Sequence, residues 1–272
     1  MTLPGFATVQ DLGGGLHYEV HLAYDHHRRT PVVVKAVRPE LLEDDAVLAG
    51  FAREVDVLSR LSHPSIVRLL EWDDEPRPYM VLEHLDGPTL SSLISQHGPT
   101  QLHQLIATGI ELTSAVAYLH AEGLVHLDIK PSNVVMGAPA TLLDLSLALD
   151  AGEAAALDHP VGTDQYMAPE QCLPGELGQV GPAADVWGIG ATLFRAAAGV
   201  RAWPTVDDGH PQLTHPPRAL PDFVPPAVRD LITDAMAPMA QDRPTPDELL
   251  ARLEPLMGAL PKARLSGFKV KL

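Results

Sequence analysis

A lysine at the end of an apolar run is the first residue whose setting calls for a chemical explanation. Lys35 follows three valines, and Glu54 comes nineteen residues later in a stretch with helical periodicity. A buried amine needs a carboxylate partner, and the pair can then hold the ammonium against the α- and β-phosphate oxygens of a nucleotide. We therefore expect Lys35 and Glu54 to pair at a phosphate site. The alternative is an edge lysine that faces water.

A glycine run precedes this lysine in the sequence. Residues 12–20 read LGGGLHYEV, so Gly13 and Gly15 lie just before an expected strand that carries Val20. Glycine permits a tight turn whose backbone amides approach a phosphate closely. The run therefore predicts a phosphate-binding loop, with Val20 above the ligand. Taken alone, three consecutive glycines more often form a simple hairpin turn.

The most informative stretch is residues 126–133, HLDIKPSN, which is followed by DLS at 144–146. These segments resemble the catalytic loop and the magnesium motif of eukaryotic-type (Hanks-type) protein kinases, whose patterns are H-R-D-x-K-x-x-N and D-F-G. Further segments agree in order and spacing, namely GTDQYMAPE at 162–170, DVWGIG at 185–190 and DRP at 242–244. The resemblance covers roughly residues 5 to 260 and is to the bacterial members of the family.

The resemblance implies ATP and magnesium as cofactors and gives a role to four residues. Asp128 would be the catalytic base for the acceptor hydroxyl, and Lys130 would stabilise charge on the transferred phosphoryl group. Asn133 and Asp144 would hold the magnesium ions that bridge the phosphates. A lysine two residues after the base is similar to serine/threonine kinases, so the expected partner is a protein with a serine or threonine acceptor.

The adenine site is less legible because the family binds adenine through the backbone. By the resemblance, Glu83 and Leu85 would supply these contacts in the hinge, with Val20 and the strand of Lys35 as the apolar roof. The resemblance also predicts a buried ion pair between Glu170 and Arg243. In the same way, Asp185 would accept hydrogen bonds from amides of the catalytic loop, and His126 would be a scaffold residue.

Several positions depart from the family pattern. Tyr18 replaces the third glycine of the loop and His17 the usual aromatic, which predicts a stiffer loop over the phosphates. Leu127 replaces the arginine that reads a phosphate on the activation segment, and residues 147–162 contain no hydroxyl. We therefore expect activity without phosphorylation of this segment. Ser146 replaces a glycine, which should restrict an inactive flip of the magnesium motif.

The elements that must position these residues form two groups, which predict an α+β, two-lobed, protein-kinase-like fold. The N-lobe, about residues 5–83, is expected to be a small antiparallel sheet with one helix over 44–61. The C-lobe, about 87–260, is expected to be larger and mainly helical. Apolar runs predict strands at 18–23, 31–37, 66–72 and 79–82. A cap at Thr245 predicts a last helix to about residue 260, and a basic tail follows at 261–272.

Composition narrows the function classes. The formal net charge of -16 disfavours nucleic acid and anionic lipid as partners. A single cysteine excludes an intrachain disulfide and favours a reduced compartment, so we expect a cytoplasmic protein. The sequence shows no signal peptide and no apolar run long enough to span a membrane, so no membrane association is expected.

Two alternatives to a protein kinase stay open at this stage. One is a pseudokinase that binds nucleotide or docks partners, as the altered glycine loop, Leu127 and Ser146 suggest. The other is a small-molecule phosphotransferase, which shares the base, the asparagine and the metal aspartate. A histidine-rich metal enzyme is disfavoured because the thirteen histidines show no metal-binding spacing. No sensor domain is recognisable, which leaves room for a regulatory partner protein.

Overall fold

The N-terminal part of the chain is an antiparallel sheet. This computed structural model describes residues 4–206 and 209–259. The strands of the sheet are β1 (Phe6–Gly13), β2 (Tyr18–Asp25), β3 (Thr30–Val37), β4 (Leu69–Asp73) and β5 (Tyr79–Glu83). They lie in the spatial order β1-β2-β3-β5-β4. Lys35 therefore sits on the central strand of the sheet, where β2 and β5 flank it on both sides.

One helix, α1 (Asp45–Arg60), connects β3 to β4 and packs against both strands. The carboxylate of the preceding residue accepts hydrogen bonds from two amides of its first turn, which satisfies donors that the helix leaves unpaired. Phe51, Val55 and Leu58 are buried, as their helical spacing predicts. Glu54 is buried on the same helix, and its charge therefore requires a partner.

The described residues after β5 are mainly helical, and among them short strands occur only between α3 and α4. The helices are α2 (Leu90–His97), α3 (Leu102–Ala121), α4 (Ala151–Ala155), α5 (Pro169–Cys172), α6 (Pro182–Ala198), α7 (Pro226–Ala235) and α8 (Pro246–Ala259). The short strands are β6 (Leu124–Val125), β7 (Val134–Val135), β8 (Thr141–Leu142) and β9 (Leu149–Asp150). Pairing of β6 with β9 and of β7 with β8 folds residues 124–150 into a compact pair of hairpin-like turns.

The core of the helical part is built around α6, which packs against α3 and α7. Two glycines of α6 permit this close packing. A Cβ on Gly190 would lie 2.7 Å from the Cγ of Met236, and one on Gly188 would lie 3.0 Å from the Cβ of Ile129. The second contact brings α6 directly against the catalytic loop. The fold therefore uses a buried helix to support residues 126–133.

The two-lobed α+β architecture is confirmed, with the following differences in its elements. The sequence did not predict β1, whose residues are mostly exposed and lack an apolar pattern. The strand predicted at 66–72 begins only at Leu69, because Ile66 instead pairs with Leu142 of β8. The sequence also did not predict the short 3₁₀ helix Pro211–Leu213, in which Gln212 is buried. The predicted basic tail, 261–272, lies outside the described residues.

The last helix begins as predicted. Thr245 and Glu248 form reciprocal hydrogen bonds between side chain and backbone, at 3.3 Å from the Glu248 amide and 2.7 Å from the Thr245 amide. This capping box satisfies two amides at the start of α8. Within residues 4–206 and 209–259, no helix is both long and apolar enough to cross a membrane.

A buried ion pair ties the elements of the helical part together, as predicted. The two guanidinium nitrogens of Arg243 donate to the two carboxylate oxygens of Glu170 at 2.6 and 2.7 Å. The same guanidinium donates to backbone carbonyls of residues 183, 237 and 238 and stacks over Trp187. The side chains of Arg243 and Glu170 are 0% and 1% exposed. Loss of one partner would leave a buried charge without compensation.

We expect Glu170→Ala to lower the free energy of unfolding by about 3–5 kcal/mol, because Arg243 would keep its charge in a dry site. Urea or guanidinium unfolding followed by circular dichroism measures this change. Asp222→Ala is the matched control. It removes the carboxylate of an exposed pair with Arg229 and should cost less than about 1 kcal/mol. Equal effects of the two substitutions would contradict this assignment.

Candidate active site

Lys35 and Glu54 form a buried ion pair between the sheet and α1. The Lys35 Nζ lies 2.8 Å from both carboxylate oxygens of Glu54 and 3.1 Å from Oδ1 of Asp144. Burial would lower the pKa of Lys35, but the two carboxylates outweigh burial and hold its pKa above the usual value. Lys35 is therefore charged throughout the physiological pH range. It joins the sheet, α1 and the loop after β8 at one point.

A second cluster surrounds Asp128 in the loop between β6 and β7. Lys130 Nζ donates to Oδ2 of Asp128 at 2.6 Å and to the hydroxyl of Thr163 at 2.7 Å. The Thr163 hydroxyl in turn donates to Oδ1 of Asp128 at 2.6 Å. The Asn133 amide donates to the backbone carbonyl and Oδ2 of Asp128 at 3.0 and 3.1 Å. The two carboxylate oxygens of Asp128 thus have different partners.

The backbone of this loop is held by a buried carboxylate from α6. Asp185 accepts the amides of His126 and Leu127, each at 2.8 Å, as predicted. His126 Nδ1 accepts the amide of Asp128 at 3.2 Å, which leaves the ring proton on Nε2, 3.3 Å from the carbonyl of Leu143. Leu127 has φ 66°, a strained conformation for a branched side chain. Its two flanking residues are held by these hydrogen bonds.

Asn133 and Asp144 lie at the same end of the hairpin that β7 and β8 form. The amide of Leu143 donates to the carbonyl of Asn133 at 2.7 Å, so Asp144 follows directly beside Asn133. Burial would raise the pKa of Asp144, but the charge of Lys35 and a hydrogen bond from Ser146 lower it below the usual value. An ionised carboxylate and a carboxamide oxygen are the hard ligands that magnesium prefers. The donor set therefore fits magnesium.

The glycine run forms the turn between β1 and β2. Gly13, Gly14 and Gly15 have φ angles of 98°, 116° and 70°. A Cβ on Gly14 would lie 2.5 Å from the carbonyl oxygen of Tyr18, whereas Gly13 and Gly15 face open space. The predicted glycines are thus present at the turn, but the sequence did not distinguish the central one as the tightest. Val20 pairs with Gly13 on one side and with Lys35 on the other, as the roof requires.

Tyr18 places an aromatic ring beneath this turn. Its ring centroid lies 4.5 Å from the Nζ of Lys35, which is a cation–π distance. Its hydroxyl reaches α1, where a Cβ on Gly50 would be 3.9 Å away. Burial raises the pKa of Tyr18. The substitution of the third glycine therefore changes the surroundings of Lys35 as well as the stiffness of the loop, which the sequence alone did not reveal.

The expected hinge follows β5. Glu83 pairs with Val32 through the backbone, and its carboxylate accepts hydrogen bonds from the amide and guanidinium of Arg68. Its side chain is therefore directed away from the Lys35 cluster. The backbone amide and carbonyl of Leu85 form no hydrogen bond with any residue of ranges 4–206 and 209–259. Leu85 thus offers one donor and one acceptor of the kind an adenine edge needs.

Comparison with known proteins agrees with this geometry. The protein kinase domain matches residues 6–253. The chain is 34% identical over 254 residues to the probable serine/threonine-protein kinase PkwA of Thermomonospora curvata, covering 91% of this chain and 34% of that protein. It is 31% identical over 198 residues to the serine/threonine-protein kinase PknB of Mycobacterium leprae, covering 69% and 31%. It is 30% identical over 249 residues to PknA of Mycobacterium tuberculosis, covering 85% and 56%.

The chain belongs to the protein kinase family. The resemblance to its bacterial Hanks-type members is confirmed, because these relatives are bacterial serine/threonine kinases by name. The chain spans about a third of the length of the first two relatives. Membership implies the use of ATP and a divalent metal. The roles of individual residues in this chain follow as proposals below.

We expect Tyr18→Leu to lower the free energy of unfolding by about 1–2 kcal/mol, because the cation loses a desolvated ring face. Tyr18→Phe keeps the ring and is the matched control. It should stay within about 0.5 kcal/mol, since the phenol hydroxyl has no hydrogen-bond partner among the described residues. Denaturant unfolding measures both values. A loss of similar size in both variants would show that the ring face over Lys35 is unimportant.

Proposed function

We propose that the chain is a serine/threonine protein kinase that transfers the γ-phosphoryl group of ATP, with magnesium, to a protein hydroxyl. One observation carries this proposal. The Thr163 hydroxyl donates a hydrogen bond to Asp128 and accepts one from Lys130. This position accommodates a hydroxyl between a carboxylate base and a cation. An acceptor serine or threonine needs the same two partners when it attacks a phosphoryl group.

Asp128 acts as the base in this proposal. Its Oδ1 faces the hydroxyl and takes the proton, while Oδ2 is already held by Lys130 and Asn133. Lys130 is within reach of both the base and the hydroxyl, so its charge offsets negative charge that develops on the transferred group. Because Asn133 fixes the base through its amide, its carboxamide oxygen stays available for a metal ligand bond.

In this proposal the cluster around Lys35 binds the nucleotide. Lys35 holds the phosphates when its bond to Asp144 is exchanged for phosphate oxygens, and Glu54 keeps the ammonium in place meanwhile. Asn133 and Asp144 would hold the magnesium ion, which would supply positive charge against the phosphates. The carbonyl of Glu83 and the backbone of Leu85 form the adenine contacts, because the Glu83 amide already donates to the carbonyl of Arg68 at 3.0 Å. Gly13, Gly15 and Val20 cover the phosphates. The names of the relatives support serine or threonine as the acceptor.

We also propose that activity does not require phosphorylation of the activation segment. Leu127 is buried where the family places a phosphate-reading arginine, and it contacts the main core. Within the segment, α4 packs against β6 and β9, and its Ala154 is fully buried. A cap at Asp150, which accepts the amide of Glu153 at 2.8 Å, stabilises this helix. Apolar packing thus orders a segment that other kinases order by charge.

A pseudokinase remains the second candidate, because a specific observation favours it. The Tyr18 ring lies over Lys35, in the region where phosphates must bind. A ring that cannot move would weaken nucleotide binding. Against this alternative stand the complete set of charged and amide groups and their mutual hydrogen bonds. Buried charges are costly to keep, and a docking module has no use for a base positioned on a hydroxyl.

Transfer of labelled phosphate from ATP to a protein or peptide acceptor tests the proposed activity. We expect the purified chain to label serine or threonine, and Asp128→Asn to lower kcat by roughly 10²–10⁴-fold, because the amide cannot accept the proton. Nucleotide affinity should change little, since Asp128 is not among the proposed nucleotide ligands. Phosphoamino acid analysis of the product identifies the acceptor.

Asp230→Asn is the control for this experiment, because it makes the same chemical change on the exposed face of α7. It should retain full activity. Binding of ATP without any transfer by the unsubstituted chain would favour the pseudokinase. Labelling that persists in Asp128→Asn would remove Asp128 from the mechanism.

Treatment of the purified chain with a broad-specificity phosphatase tests independence from phosphorylation. We expect the transfer rate to stay within about twofold of the untreated sample, since no hydroxyl lies between residues 147 and 162 and Leu127 cannot bind a phosphate. Mass spectrometry before and after treatment verifies that any phosphate was removed. A large fall in rate that returns on incubation with ATP would contradict the proposal.

A further inference from the structure

Gln171 is a buried amide that connects the activation segment to the catalytic loop. It lies in α5 and is 2% exposed. Its Nε2 donates to the backbone carbonyl of Leu127 at 2.9 Å and to that of Val161 at 2.8 Å. One side-chain nitrogen thus bridges two segments that are far apart in sequence. Both N–H groups of the amide are used, one for each carbonyl.

The two carbonyls sit next to the reactive groups. Leu127 immediately precedes Asp128, and Val161 lies two residues before Thr163. The distance between Asp128 Oδ1 and the Thr163 hydroxyl, 2.6 Å, therefore depends on how closely these two backbone segments approach. Gln171 donates to both of these backbone segments. Asp185 holds the same loop by a separate bond to the amide of Leu127.

The glycine between Val161 and Thr163 independently indicates a close approach. Gly162 has φ 129°, and a Cβ there would lie 2.9 Å from the carbonyl oxygen of Leu127 and 3.1 Å from Nε2 of Gln171. Any side chain at this position would force the two segments apart. The local backbone is therefore shaped to bring the activation segment against the bridging amide.

We propose that Gln171 is a positioning residue, which holds the activation segment against the catalytic loop by a neutral hydrogen-bonded bridge instead of a phosphate bound to a cation. This inference rests on the proposed function and adds the device that makes it independent of phosphorylation. A neutral amide suits the site because Leu127 places an apolar side chain there, and a buried, unpaired charge would be costly. An amide is also permanently present and needs no partner enzyme.

If Gln171 served only to stabilise α5, the activity would depend on its side-chain oxygen and not on its side-chain nitrogen. The Oε1 of Gln171 accepts the amide of Ala168 at 3.0 Å, which caps the start of α5. Only Nε2 reaches the catalytic loop. Gln171→Glu keeps the acceptor and the shape of the side chain, but its carboxyl has no donor when ionised and one when protonated, so it cannot donate to both carbonyls. Gln171→Leu removes the acceptor and the donors together.

The decisive experiment compares these two variants with the unsubstituted chain in steady-state transfer to a peptide and in hydrogen–deuterium exchange. We expect both variants to lower kcat by roughly 10–100-fold, because misplacement of a base by an ångström has effects of this size. The KM for ATP should stay within about twofold, since no contact of Gln171 reaches the Lys35 cluster. Exchange should rise roughly fivefold or more for peptides covering 126–130 and 159–165.

Gln212→Leu is the matched control for the loss of a buried amide. Gln212 is also buried and donates to the backbone carbonyls of Asp164 and Met167, but it does not reach residues 126–133. It should not raise exchange in the catalytic loop. Gly162→Ala supplies an independent test if substitution of Gln171 prevents folding. It should lower kcat in the same way, while Gly175→Ala, at φ 79° with open space around it, should not.

The outcomes separate the inference from the function on which it rests. A Gln171→Glu variant, or a Gly162→Ala variant, that keeps kcat within about twofold overturns the positioning role. A Gln171→Glu variant that is active while Gln171→Leu is not assigns Gln171 to the cap of α5 alone. If the unsubstituted chain binds ATP without transfer, the proposed function fails. Exchange at 126–130 and 159–165 still decides in that case whether Gln171 couples the two segments.

Discussion

The carboxylate of Asp185 is the interaction on which the catalytic region depends. It is buried on α6 and accepts two backbone amides of the loop, together with the ring of His120 at 2.9 Å. These bonds compensate a charge that has no access to water and keep Leu127 in a left-handed backbone conformation. Asp128 is the next residue, so the direction of its side chain depends on the backbone conformation of Leu127. Gly188 contributes by letting α6 lie against the loop.

Further hydrogen bonds connect this loop to the N-terminal sheet. His126 links the loop to the carbonyl of Leu143, which precedes Asp144. Asp144 reaches the sheet through Lys35, and Lys35 reaches α1 through Glu54. A chain of hydrogen bonds therefore runs from the centre of the helical part to the N-terminal sheet. Each charged member is paired, which is the condition for burying ionised groups such as Lys35, Glu54 and Asp185.

Much of the fold and of the candidate site could be predicted because charged residues stand out in apolar segments. The sequence identified Lys35 on its valine strand and Glu54 on α1 as a candidate pair for this reason, and the two side chains do pair in the structure. The buried pair of Glu170 with Arg243 followed from the family pattern. The exposed strand β1 was missed because its residues bury little and carry no periodic pattern.

Features that arise from distant segments meeting in space were not predictable. The sequence shows three consecutive glycines, all with positive φ in the structure, and only the central one also lies against the carbonyl of Tyr18. Gln171 is one amide among several, and its importance depends on two backbone carbonyls that carry no sequence signal. The strand predicted to begin at Ile66 starts later in the sequence for the same reason, because Ile66 pairs with Leu142 of β8.

The ring of Tyr18 has a consequence for chemical inhibitors of this chain. A glycine at that position would leave the space beside Lys35 without a side chain above it. Here that space is bounded by an aromatic face at 4.5 Å from the ammonium. A compound extended from the proposed adenine site toward Lys35 would meet a flat, polarisable ring, and planar substituents that stack on it would gain selectivity over kinases lacking the ring.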